Sequence, residues 1–187
     1  MKIDRTNKEM EFKCLIDKKI YLQLIEEFAL KNNIFTQTNF YFDTDNYDLK
    51  KDKIVLRIRQ KNNQFKLTKK VHLKEHDIDE SHIYLEENNA LDMIQNGFDA
   101  NIIGLSYFVK NTYSLTTNRV SFPYKNGKLF FDESIYNGIT DYEIEYEANN
   151  IEEGNEVFNE FLISHNIKLV IPDSKIIRAY KTLKANN

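Results

Sequence analysis

Cysteine is almost absent. Cys14 stands alone, so no disulfide can close within the chain, and a reducing compartment suits it. Proline and glycine are scarce, at 2 and 5 copies, which leaves no composition for a flexible or polyproline linker. One domain spanning 1–187 is expected. No apolar run approaches the ~20 residues of a membrane-spanning helix. Lys2, Asp4 and Arg5 break up the apolar stretch that a secretory signal needs. These absences lead to the expectation of a soluble, cytoplasmic protein with no membrane partner. Neither sign of charge prevails: 26 Lys and Arg stand against 29 Asp and Glu, so nothing global marks a binder of long nucleic acids.

Hydrophobic residues make up 41% of the chain, enough to bury a core in a protein of this size. Their spacing predicts strands at 8–16, 36–44, 54–60, 64–71 and 79–87, then a hairpin turning at Asn126 and Gly127, then a strand at 140–148. Helical periodicity predicts helices at 17–32, 89–110 (one or two, broken at Gly97 with Asp99 as a new cap), 151–166 and 173–184. About eight strands with several helices describe an α+β fold on a largely antiparallel sheet.

Each strand has one apolar and one charged face, and the charges are often of a single sign. Glu9, Glu11 and Lys13 oppose Met10, Phe12 and Cys14; Arg57 and Arg59 oppose Leu56 and Ile58; Lys66, Thr68 and Lys70 oppose Phe65 and Leu67. Glu80, His82 and Tyr84 oppose Ile83 and Leu85, Arg119 opposes Val120, and Glu143, Glu145 and Glu147 oppose Ile144 and Tyr146. A one-sided sheet with a wet polar face explains any single strand. It does not explain why like charges sit together, since they repel along and across strands. A barrel with its apolar faces outward under helices and its charges inward does. Inward Lys and Arg suit a phosphate chain, and clustered carboxylates suit a hard divalent cation.

Glu9-Met10-Glu11-Phe12-Lys13 resembles the E-x-E-x-K signature that opens CYTH domains, also called triphosphate tunnel metalloenzymes. The likeness continues in order through "NFYFDT", "LRIR", "KLTKK", Glu80, Arg119, "FFDES", "DYEIEYE" and "SKIIRA", nearly from end to end. The chain is most similar to the short stand-alone bacterial members. The resemblance implies an eight-stranded antiparallel β-barrel, a triphosphate tunnel with helices packed outside, binding a triphosphate with Mg²⁺ or Mn²⁺. It implies Glu9, Glu11, Glu143 and Glu145 as metal ligands, with Asp132 and Glu147 as further members of that set. Lys13, Arg57, Arg59, Lys66, Lys70 and Arg119 would contact phosphate, and Lys175 and Arg178, three apart on the last helix, would cover one tunnel mouth. Two positions depart from the family pattern. Phe130 stands where some relatives carry an acidic ligand, which leaves one or two ions open. Lys69 stands where an apolar residue is usual and is expected in solvent.

The expected activity is metal-dependent hydrolysis of inorganic triphosphate, thiamine triphosphate or a nucleoside triphosphate. The catalytic set would be Glu9, Glu11, Lys13, Arg57, Arg59, Glu143 and Glu145. Two alternatives stay open: an adenylate cyclase using the same tunnel, and a module that binds polyphosphate or nucleotide without turnover. An exposed apolar strand face would suit a homodimer. His72 and His76 lack the partners of a zinc site, and Cys14 reads as a core residue.

Overall fold

The computed structural model describes residues 4–5, 10–74 and 77–185. These gather into two compact units, one of residues 4–5, 37–74 and 77–115, the other of residues 10–36 and 116–185. Both are built on antiparallel sheet with helices packed on the apolar face, the α+β class that the patterning predicts.

The first unit takes its strands from β1 (Asp4–Arg5), most of β3 (Phe35–Asp43), β4 (Ile54–Lys61), β5 (Gln64–Lys74), β6 (Asp77–Leu85), and the first half of β8 (Phe108–Tyr124). They pair in the order β1-β6-β5-β4-β3-β8. A short helix α2 (Asp48–Lys51) fills the turn before β4, and Asn62, at φ 53, makes the left-handed turn between β4 and β5. Leu56, Ile58, Phe65, Leu67 and Ile83 form the apolar face, covered by Ala90 and Met93 of helix α3 (Glu87–Asn96).

The helix predicted to run on toward Lys110 ends earlier. Gly97 sits at φ 78, and a Cβ there would come within 2.4 Å of the Val109 carbonyl oxygen. That close approach lets β7 (Phe98–Asp99) pair with Val109 and Phe108 at the start of β8. Asp99 does cap, but it caps a 3-10 turn, accepting from the Asn101 N–H at 3.0 Å. The apolar spacing of Tyr107–Val109 serves strand as well as helix, and pairing with β7 decided between them. Lys69 is also placed differently from the solvent position expected. It is half-buried and donates to the Ile103 carbonyl at 2.9 Å, satisfying that 3-10 turn's end.

In the second unit the order is β8-β9-β10-β2, with β2 at Met10–Ile16, β9 at Gly127–Tyr136 and β10 at Ile139–Ala148. Cys14, Val120, Phe131, Ile144 and Tyr146 make its apolar face. Helix α1 (Lys18–Glu27) lays Leu24 and Ile25 on that face, and α4 (Ile151–Ser164) lays Phe158, Phe161 and Leu162. Asp17 caps α1 through the Ile20 N–H, and Asn150 caps α4 through Glu152 and Glu153. Among the described residues, the last helix, α5 (Lys175–Ala185), adds no side chain to this cluster; its Lys175 and Arg178 meet the sheet's charged face. Cys14 is fully buried in the core, as expected.

Candidate metal and phosphate site

Register places the charges of the second unit in cross-strand rows. Arg119, Asp132 and Glu143 stand side by side on β8, β9 and β10. Phe130, Glu145 and Lys13 form the next row across β9, β10 and β2, and Lys128, Glu147 and Glu11 the one after. Directly paired residues project to the same side, so strand alternation alone gathers these carboxylates and cations on one face.

That face is not wet. Asp132 and Glu143 are 0% exposed and Glu145 is 2%. Arg119 grips Asp132 with Nε at 2.7 Å and Nη2 at 2.5 Å, reaches Glu145 with Nη2, and lies over the Phe130 ring at 4.6 Å. Lys175 donates to Asp132 at 2.7 Å, to Glu143 at 2.8 Å and to Glu145. Lys13 lies 3.0 Å from Glu11 and 3.8 Å from Glu145. Arg178 pairs with Asp141 at 2.8 Å and brings Nη2 to 2.7 Å from Oε2 of Glu143.

The acids are shifted in opposite directions. Burial pushes the Glu143 carboxyl up to about 7, and Glu145 beside it adds to the shift. Burial would raise Glu145 too, but Lys175 and Arg119 outweigh it and hold that carboxylate well below its ordinary range. At Glu11, partial burial and then the Glu145 charge raise the carboxyl. Lys175 loses to burial but gains more from Asp132, Glu145 and Glu143, and stays charged.

The donor set fits a hard divalent cation. Glu11, Asp132, Glu143 and Glu145 offer oxygen only, the ligand type that Mg²⁺ and Mn²⁺ take. Oε2 of Glu143 is buried without a hydrogen bond of good geometry. The ammonium of Lys175 sits among three of these acids, so the set already draws a cation. Among the described residues no three such side chains are yet gathered at metal-ligating positions.

The first unit holds the basic residues. Arg57 and Thr68 face each other across β4 and β5, as do Arg59 and Lys66. Lys70 is paired with Glu80 at 2.7 Å, and Arg59 donates to Asn39 at 3.0 Å. Burial, and then the Arg59 charge, lower the Lys66 ammonium. These four cations outnumber Glu80 and Asp4, the latter in register with His82, so among the described residues this face is positive.

The expected site residues therefore fall into two groups. Glu11, Lys13, Arg119, Asp132, Glu143, Glu145, Lys175 and Arg178 converge in the second unit, with Glu147 in register with Glu11. Arg57, Arg59, Lys66 and Lys70 share a face of the first. Glu9 and His76 lie outside the described residues, as does the side chain of His72. Arg119, expected at phosphate, and Lys175, expected over a tunnel mouth, are bonded to carboxylates. Asp141 was not singled out by sequence; its place on the same face as Glu143, two residues on, was the available signal.

A CYTH domain model matches residues 7–180. The chain belongs to the CYTH domain family. It is 34% identical to "Putative triphosphatase YjbK" of Bacillus subtilis (strain 168), over 92% of this chain and 94% of that protein. Among solved structures it resembles "a putative adenylate cyclase" from Bacillus halodurans, with TM-score 0.80, 30% identity, and coverage of 91% and 96%. It also shares the fold of a Hippeastrum protein described as a "putative adenylyl cyclase" that "reveals a dominant triphophatase activity", with TM-score 0.71, 21% identity, and coverage of 92% and 95%. Among the described residues this CYTH chain has ten strands, two of them, β1 and β7, of only two residues each. The other eight match the number expected. Among the described residues, no helix is long and apolar enough to cross a membrane.

Proposed function

We propose that this CYTH protein is a divalent-cation-dependent triphosphatase, hydrolysing inorganic triphosphate or the triphosphate of a small organic ester. The observation that carries the reading is the buried pair Glu143 and Glu145, which share the Lys175 ammonium with the buried Asp132. A site that only binds anions has no use for buried carboxylates, which cost several kcal/mol each to desolvate. The likeness to YjbK supports the choice of reaction.

In this reading Glu11, Glu143 and Glu145, with Glu9, hold Mg²⁺ or Mn²⁺, and Asp132 and Glu147 complete the set. The ion supplies Lewis-acid polarisation of phosphate oxygens when bound. Arg57, Arg59, Lys66 and Lys70 take the phosphate chain. Their charges stabilise the negative charge that spreads over the phosphoryl oxygens as the bridging P–O bond breaks and water attacks. Lys13, next to Glu11 and Glu145, donates to a phosphate oxygen and keeps the two acids from repelling each other. Lys175 and Arg178 close over the carboxylates from α5.

The likeness to the Bacillus halodurans protein favours a second reading, cyclisation of ATP. One assay separates the two. Purified protein with Mg²⁺ or Mn²⁺ is given inorganic triphosphate, thiamine triphosphate and ATP, and orthophosphate and cyclic AMP are measured. Orthophosphate from triphosphate is expected. Cyclic AMP and diphosphate from ATP, with no orthophosphate from any compound, would replace hydrolase by cyclase. Tight binding without any product would make the protein a polyphosphate-binding module.

A further inference from the structure

Three buried polar atoms of the first unit have no hydrogen-bond partner: Nε of Arg57, Oγ1 of Thr68 and Nδ1 of His82. They are not scattered. Arg57 is opposite Thr68 across β4 and β5, and Thr68 is opposite His82 across β5 and β6, so the three make one continuous cross-strand row on the charged face. Thr68 is 0% exposed and His82 is 7%. Folded proteins satisfy nearly all such atoms, and each orphan costs ~1–3 kcal/mol. Three neighbouring orphans describe a place that a ligand completes.

The chemistry of the row says which ligand. The guanidinium N–H can only donate, the hydroxyl can donate, and the imidazole can present N–H at Nδ1. Flanking the row are Arg59 and Lys66 on one side and Lys70 with Glu80 on the other. Burial and the charges of Arg59, Arg57 and Lys70 all lower the Lys66 ammonium, so the face gains from an anion. The hydroxyl and imidazole add neutral donors, placed between the charged ones of the arginines and lysines and suited to the oxygens of a phosphoryl group.

We propose that Thr68 and His82 join Arg57 as direct contacts to phosphoryl oxygens of the substrate. This rests on the triphosphatase reading for the identity of the anion, though the row itself asks only for an oxyanion. Neither residue is charged in the way the flanking residues are, so their part is to orient the chain that the cations attract.

The test is calorimetric titration of inorganic triphosphate into the full chain in EDTA, with thermal melting of each protein alongside. T68V and H82L are expected to weaken binding by about 10- to 100-fold each, as loss of one hydrogen bond to a charged group does. T68S and H82N, which return a donor near Oγ1 and Nδ1, should restore most of it. Because T68V removes an orphan without changing volume, its melting point should hold or rise while affinity falls. A merely structural threonine would show the opposite pattern. Wild-type affinity in both T68V and H82L overturns the proposal, since water or nothing then fills the row. If the wild type ignores triphosphate but binds orthophosphate or sulfate through the same two residues, the row stands and the triphosphatase reading falls. No binding of any of these anions by the wild type overturns both.

Discussion

Nζ of Lys175 donates to Oε1 of Glu143 across 2.8 Å, tying the first turn of α5 to the middle of β10. The same ammonium reaches Asp132 and Glu145, so one cation from the last helix balances acids from two strands. K175M removes that charge and leaves buried carboxylates facing one another. In EDTA the variant should lose about 3 kcal/mol of stability, the usual cost of stranding a buried charge. Added Mn²⁺ should return more of that loss than it adds to the wild type, because it binds an acid set no longer neutralised from within. Denaturant midpoints with and without Mn²⁺ measure both effects. Equal midpoints for variant and wild type in EDTA would show that Lys175 carries none of the balance.

Arg119 and Asp132 make the two-pronged pair on which the acid set is anchored. Lysine cannot reproduce a planar fork. R119K should therefore be destabilised by about 2 kcal/mol in spite of its retained charge, and R119A by more. A double-mutant cycle with D132N isolates the pair, and a coupling energy near zero would contradict the geometry.

Glu80 gives a pH dependence away from the carboxylate set. Burial would raise its carboxyl, but the bond from Lys70 and the charges of Lys70, Arg57 and Lys66 lower it instead. A carboxyl lowered on folding contributes stability above its unfolded value, near 4.5, and loses it as pH falls through the lower folded value. E80Q should thus be less stable than wild type at pH 7 by about 1 kcal/mol, given partial exposure of the pair. The gap should close as pH drops below 4.5. Melting curves of the two proteins at pH 7 and pH 3.5 check this, and a gap that widens in acid would reverse the sign.

Gly154 tests how α4 is seated. A Cβ there would stand 2.6 Å from the Phe12 ring and 2.6 Å from the Ala148 methyl group. Alanine is the better helix former by ~1 kcal/mol. Overpacking against two fixed groups costs about 1–3 kcal/mol and prevails. G154A should melt lower than wild type; a higher melting point would mean that α4 shifts without penalty.

Much of this arrangement was legible in the sequence, because strand alternation fixes which side chains share a face. Glu143 and Glu145, or Arg57 and Arg59, could be grouped from spacing alone. Partners across strands could not. The resemblance put Arg119 at phosphate and Lys175 over a tunnel mouth; register sets Arg119 beside Asp132, and the docking of α5 brings Lys175 among three acids. Position of a helix against a sheet depends on contacts that no local pattern records. The Arg57–Thr68–His82 row was hidden for the same reason: each residue was visible on a charged face, but only the pairing of three strands aligns them. The helix expected near Lys110 failed because a short apolar stretch fits both periods, and close backbone contact at Gly97 settled it.

Glu11 separates chemistry from folding better than its buried neighbours. Its side chain is 33% exposed, and its ion pair is with Lys13, which also lies near Glu145. Replacing the buried Glu145 would take one acid from both Arg119 and Lys175, so loss of activity there would be mixed with loss of structure. E11Q keeps the size of the side chain and leaves Lys13 its second acid, so the melting point should stay within about 2 °C of wild type. If Glu11 holds the divalent ion, kcat should fall by roughly 100-fold or more, in line with removal of a group that stabilises transition-state charge. The Mn²⁺ concentration for half-maximal rate should rise as well. Full activity with unchanged metal dependence in E11Q would remove Glu11 from the site and take the proposed donor set with it.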